Sequence, residues 1–390
     1  MSAPAGPRRR SGGEWRLRRR GPKLAPGAGA ARRQESTVSS DFSGAIDCDI
    51  HPRVPTPRAL SRYMDEHWRD TVDVRGIDSF EAISYPAGSP LTMRADWRAC
   101  AADATPAKLA GALLDRFHFA HAICNCLFPV QFFRDENLAA AFARALNDWL
   151  AAEWLAADPR LLGSVVLPLQ SVERAVEEIE RRADDRRFVQ LLLLAMGESP
   201  LGKSRYWPIY AAAERHGFTI GIHAGSSYHQ AVTGSGWPSY YLEDYAAQAL
   251  AFHTQLGSLI CEGVFVKYPK LKVVLIESGV TWLPSYLWRL SKSWRGVRNE
   301  VPWLDRSPEE FVHDHVRLTT QPFDGPPAAE HIGRILDQLR SDQMLLFASD
   351  FPHWQFDGAD MLPAGVGDPL RRKILIDNPR HTYARLQRTA

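Results

Sequence analysis

Four apolar runs in this chain end on residues that can hold a metal ion or move a proton. AIDCDIH at 45–51 delivers Asp49 and His51, FTIGIH at 218–223 delivers His223, KVVLIES at 272–278 delivers Glu277, and LLFASDFPHW at 345–354 delivers Asp350 and His353. Carboxylates and imidazoles together form a hard-to-borderline donor set, suited to one divalent ion, Zn²⁺ first and Mn²⁺ second. Such an ion lowers the pKa of a bound water toward about 7, and a carboxylate beside it can take a proton and return it. Side chains alternate along a strand, so Asp49 and His51 share one face while Cys48 and Ile50 take the other. Asp47 falls on the same face as Asp49 and is expected to orient His51 or to cap the floor beneath it. His67, His118, His216 and His331 sit in helical or loop contexts and are read as surface or packing residues.

Residues ending separate strands meet only if the strands are neighbours in one closed sheet. The order of elements predicts this. Strands are expected at 45–50, 121–128, 161–169, 188–195, 218–223, 272–278, 316–320 and 344–349, separated by helical patterns. Among the expected helices are 136–157, one from Ser171 as N-cap, one closed by Gly217, one over 242–268, and one opened by a Ser307–Glu310 capping box just before His313 and His315. Eight alternations give an α/β chain of the distorted (β/α)8 TIM-barrel class, whose active sites gather at the strands' C-terminal ends. A long insertion after strand 1, with helices expected at 57–68 and 108–117, is expected to cover the mouth. Its Tyr63, Trp68, Phe80, Tyr85 and Trp97 are candidate pocket aromatics.

Composition sets the boundaries. With 390 residues, 45% hydrophobic and 24% charged, the chain can bury a large core. Residues 1–40 carry nine Arg and one Lys against two acids, a surplus of eight, which leaves the rest near −6 beside a total of +2. The folded part is therefore mildly acidic, and no nucleic-acid partner is expected of it. Residues 1–41 lack apolar periodicity and are expected to be a disordered Arg/Gly/Pro-rich tail, with the barrel over 42–390. The basic run is not followed by an apolar segment of leader length, and no span is long enough to cross a membrane. Five irregularly spaced cysteines suit reduced thiols in a cytoplasmic protein.

IDCDIHP near the start, GIHAG in the middle, PKLKVVLIESGVTWLPSYLWRL, and FASDFPHW near the end occur in that order. Together they resemble the amidohydrolase-related family, the branch that includes aminocarboxymuconate-semialdehyde decarboxylase and resorcylate-type decarboxylases. The resemblance covers about residues 45–385 and implies a barrel with one divalent metal, a small-molecule substrate and a homodimer. The family's His-x-His motif falls on Asp49-Ile50-His51, with Asp49 in place of the first His. Its mid-chain metal histidine matches His223 and its last-strand aspartate matches Asp350, as ligand and as proton carrier. Where many relatives place a histidine after strand 6, this chain has Glu277-Ser278. Glu277 is then the expected acid/base, with His253 as a helper, and Arg289 and His353 are candidate substrate contacts. Three readings follow: first, hydrolysis of an amide, lactone or related carbonyl by metal-bound hydroxide; second, non-oxidative decarboxylation of an aromatic or unsaturated acid; third, a metal-binding barrel without activity.

Overall fold

Ile46–Ile50 (β1), His121–Cys124 (β2), Leu161–Val166 (β3), Phe188–Met196 (β4), Thr219–Ser226 (β5), Val273–Ile276 (β6), Val316–Thr319 (β7) and Leu345–Leu346 (β8) form one sheet in chain order. Every neighbouring pair is parallel. The computed structural model describes residues 42–53, 56–78, 105–227, 229–353 and 361–386. The Arg-rich tail, Phe80, Tyr85 and Trp97 lie outside the described residues. The strands are apolar and almost wholly buried, as expected where helices cover one face and the barrel interior takes the other.

The last strand is where the barrel departs most from the sequence pattern. Six residues read as strand, yet only Leu345–Leu346 pair with β7. The chain then bends toward β1: Cys48 N–H donates to Phe347 O at 2.9 Å, Asp350 N–H to Asp49 O at 3.1 Å, and His51 N–H to Phe351 O at 2.9 Å. Asp47 completes this seam. Its Oδ1 accepts from Ser349 N–H at 2.9 Å and from Asp49 N–H at 3.2 Å, so it ties the barrel closed and does not touch His51.

Helices follow the strands with the caps the sequence supplies. Ser171 accepts from Arg174 N–H at the start of Val172–Arg182, Gly217 (φ 74°) stops Trp207–His216, and Ser307 with Glu310 boxes the start of Pro308–His315. The helix expected over 242–268 ends instead at Cys261, because Gly263 (φ 73°) turns the chain before the short Val264–Lys267 segment. In the insertion, the helix expected over 57–68 splits into a 3₁₀ segment, Pro57–Tyr63, and an α-helix, Glu66–Arg75. Tyr63 bonds Glu153 at 2.7 Å and lines, with Trp68, a groove that includes Ala140 and Arg144 of the helix Glu136–Trp149. These two aromatics therefore belong to the helical layer rather than to a substrate pocket. No helix among the described residues is long and apolar enough to cross a membrane.

Candidate metal centre

The strand ends bring six side chains into two overlapping clusters that share His51 and Glu277. From β1 come Asp49 and His51, from β5 His223, from the end of β6 Glu277, and from beyond β8 Asp350 and His353. One ligand atom each of Asp49, His51, His223 and Glu277 lies within 4.8 Å of the others, as does one each of His51, Glu277, Asp350 and His353. His51 donates through Nδ1 to Asn125 O at 3.1 Å, which leaves Nε2 facing Asp350 Oδ1 at 3.0 Å, Asp49 Oδ1 at 3.4 Å and Glu277 Oε1 at 3.5 Å. His223 donates through Nδ1 to Ala224 O at 2.6 Å, and its Nε2 stands 3.5 Å from Asp49 Oδ2 and 3.6 Å from Glu277 Oε1. In both rings a backbone carbonyl fixes the tautomer that presents Nε2 as an acceptor or ligand. His353 stacks on His51 with centroids 4.0 Å apart, and its Nδ1 is 2.6 Å from Asp350 Oδ1.

Three atoms of these clusters are buried without a hydrogen-bond partner among the described residues: Asp49 Oδ2, His223 Nε2 and Asp350 Oδ2. A buried polar group left unpaired costs about 1–3 kcal/mol, and more when charged. Two of them, Asp49 Oδ2 and His223 Nε2, face each other at 3.5 Å, and Asp350 is joined to them through His51 Nε2, a donor set that suits a cation. The backbone carries strain here too. Glu277 and Asp350 both sit at φ 56°, in the left-handed region, at a cost of order 1–3 kcal/mol each. That conformation turns each carboxylate back toward the mouth where a continuing strand would carry it away.

Burial and charge set the protonation. Burial, reinforced by the Glu277 carboxylate, pushes Asp350 up to about 6. Burial opposes ionisation of Asp49, but His51 and His223 outweigh it and hold that carboxyl well below the usual range. Glu277 is likewise held ionised against burial by His223, His353 and His51. Burial disfavours charge on His353, yet the Asp350 carboxylate carries it up to about 9. Burial pushes the nearby Cys126 thiol up to about 12, so it offers no thiolate.

The family model described as Amidohydrolase matches residues 46–385. The chain belongs to this family. Among curated relatives, the gamma-resorcylate decarboxylase of Rhodococcus jostii is 28% identical over 255 residues, 62% of this chain and 75% of the relative. That of a Polaromonas species is 26% identical over 272 residues, 65% and 79%. Among solved structures, 2,6-dihydroxybenzoate decarboxylase in complex with 2,6-dihydroxybenzoate superposes with a TM-score of 0.62 at 19% identity, over 88% of this chain and 99% of that one. The 5-carboxyvanillate decarboxylase of Novosphingobium aromaticivorans, with manganese and 4-hydroxy-3-methoxy-5-nitrobenzoic acid, gives 0.65 at 20% identity, over 89% and 97%. At these identities the solved structures establish the fold.

Two residues expected at the amidohydrolase site stand elsewhere. Arg289 is exposed on the helix Leu283–Val297, whose buried face is Leu283, Pro284 and Leu287; two residues past Leu287 the helix has turned some 200° outward. His253 packs its ring on Trp282 and Tyr286, at 4.4 and 4.8 Å, and belongs to neither ligand cluster; burial lowers its pKa. One residue escaped the sequence reading altogether. Asn125 falls in the middle of the apolar run 121–128, but β2 ends at Cys124 and Asn125 turns its amide N–H to Asp49 Oδ1 at 2.8 Å. Beside the cluster, a cleft of about 330 Å³ opens over the ends of β2 to β5 and is lined by Cys126, Phe128, Val166, Leu192, Leu194 and Ala224, among others.

Proposed function

We propose that this chain catalyses the non-oxidative decarboxylation of a hydroxylated aromatic carboxylic acid, with one divalent cation held by Asp49, His51, His223 and Asp350. The observation that carries the reading is the set of orphaned atoms on Asp49, His223 and Asp350, which the donor chemistry of a divalent ion fits. Mn²⁺ is preferred to Zn²⁺ because the set is rich in carboxylates and free of thiolate, and because a structural relative holds manganese. Hydrolysis, first among the sequence readings, gives way to its alternative because the curated relatives are decarboxylases.

When bound, the ion supplies a Lewis acid for the substrate carboxylate and the oxygen next to it. The apolar cleft takes the aromatic ring. Asp350, held between His51 Nε2 at 3.0 Å and His353 Nδ1 at 2.6 Å, gives a proton to the ring carbon that bears the carboxylate. The bond to the carboxylate then breaks, its electron pair restores the aromatic ring, and CO₂ departs. His353, 2.6 Å from Asp350 Oδ1, returns a proton to the carboxylate. Glu277, held ionised, keeps His353 and His51 turned toward Asp350, its Oε1 lying 3.3 and 3.5 Å from their nitrogens.

The test is turnover of 2,6-dihydroxybenzoate and other ortho-hydroxybenzoates by Mn²⁺-loaded protein in D₂O. Release of CO₂, with one deuterium on the vacated carbon, is expected. Hydrolysis of amides or lactones with no decarboxylation of any such acid would return the chain to the first sequence reading.

A further inference from the structure

Asn125 touches both of the β1 residues assigned to the ion. Its side-chain N–H donates to Asp49 Oδ1 at 2.8 Å and to Cys48 O at 3.4 Å, while its backbone carbonyl accepts from His51 Nδ1 at 3.1 Å. An amide has a donor end and an acceptor end, and its neighbours decide which faces Asp49. Here the acceptor end is already taken. Ser164 Oγ–H donates to Asn125 Oδ1 at 2.6 Å, and Gln190 Nε2 donates to the same oxygen at 3.1 Å and to Ser164 Oγ at 2.9 Å. Gln190 is oriented in turn by Tyr383, whose O–H donates to Gln190 Oε1 at 3.1 Å. All four side chains are fully buried. The series runs from the C-terminal segment through β4 and β3 to β1, and each bond fixes the direction of the next. Gly221 on β5 leaves room for it: a Cβ there would lie 2.5 Å from Gln190 Cδ.

We propose that Asn125 is a positioning residue for the metal centre and that Tyr383, acting through Gln190, sets the direction of the hydrogen bonds that reach it. The proposal rests on the reading that Asp49 and His51 hold an ion. With Asp49 Oδ1 tied to Asn125, Oδ2 is turned into the site, where it has no other partner. A reversed amide would set two acceptor oxygens against each other in a buried space and rotate Asp49 off the ion. Polar partners behind metal ligands carry about 10–100-fold in affinity.

The experiment is titration of metal-free protein with Mn²⁺, reading free Mn²⁺ by electron paramagnetic resonance, with the melting temperature of the metal-free form recorded in parallel. Asn125→Ala is expected to weaken binding by about 10–100-fold. Gln190→Met, which keeps the volume and removes both ends of the relay, should weaken it by about 10-fold, and Tyr383→Phe, which removes one hydroxyl, by a smaller but measurable factor. If Asn125→Ala does not fold, the other two variants decide. Wild-type affinity in Gln190→Met and Tyr383→Phe, with only a lowered melting temperature, would reduce the series to a packing role and overturn the proposal. Wild-type protein that takes up no Mn²⁺ would instead overturn the metal reading beneath it.

Discussion

The two ends of the barrel carry rival versions of one motif. At the strands' C-terminal ends stands Asp49-Ile50-His51; at their N-terminal ends stands His313-Asp314-His315, which by spacing alone is the better match to a His-x-His metal pair. The difference is in what the ring nitrogens meet. His313 Nε2 bonds Leu339 O at 3.2 Å, and His315 Nδ1 bonds Leu271 O at 2.8 Å with its ring stacked on Phe265. Lys272 and Arg317 donate to the carbonyls of residues 313, 314 and 316, as cations do at a helix C-terminus. Arg306 pairs with Asp314. No buried polar side-chain atom of His313, Asp314 or His315 is left over, whereas the mouth keeps three without a partner. Spacing offers ligands at both ends; unmet hydrogen-bonding capacity is what distinguishes them.

Substitutions at the two ends should therefore part company. The largest effect is expected at Asp350. Asp350→Asn keeps the shape and can still coordinate but cannot give or take a proton near neutrality, so turnover should fall by about 10³-fold or more while metal content falls far less. Near wild-type turnover by this variant would remove Asp350 from the chemistry. Glu277→Gln should cost about 10²-fold, since it lowers the charge that steers His353 and His51; a loss under about twofold would make Glu277 a loop anchor.

His223→Ala and His315→Ala set the ends against each other directly. Elemental analysis of protein purified without chelator should find the ion lost from the first variant and kept by the second. His315→Ala should instead lower stability by about 1–3 kcal/mol, by losing a buried hydrogen bond and a ring contact. Retention of full metal by His223→Ala would break the comparison. His253→Phe is the smallest change: turnover should stay within about threefold of wild type, because the ring packs on Trp282 and Tyr286 outside the ligand cluster.

The parts legible in the sequence were those with a local signature. Apolar runs ending on Asp49, His51, His223, Glu277 and Asp350 marked both the strands and the face where they finish, and Ser171, Gly217 and Ser307 marked helix ends. Asn125 was not legible, because its partners lie 76 residues back at Asp49 and 65 ahead at Gln190, and no pattern along the chain pairs them. The seam beyond β8 was hidden in the same way: MLLFAS reads as a continuous strand, and only its bonds to β1 show where it bends. Arg289 differs in kind: its charge and its aromatic-rich segment suggest a pocket, but the helix turn beyond the buried Leu287 points it outward.

The central claim is that the ion belongs at the mouth. Anomalous diffraction from crystals grown with Mn²⁺ would locate it directly. One peak among Asp49 Oδ2, His51 Nε2, His223 Nε2 and Asp350, with bonds of about 2.0–2.4 Å, is the expected result. A peak at His313 and His315 instead, or none at the mouth at saturating Mn²⁺, would contradict it.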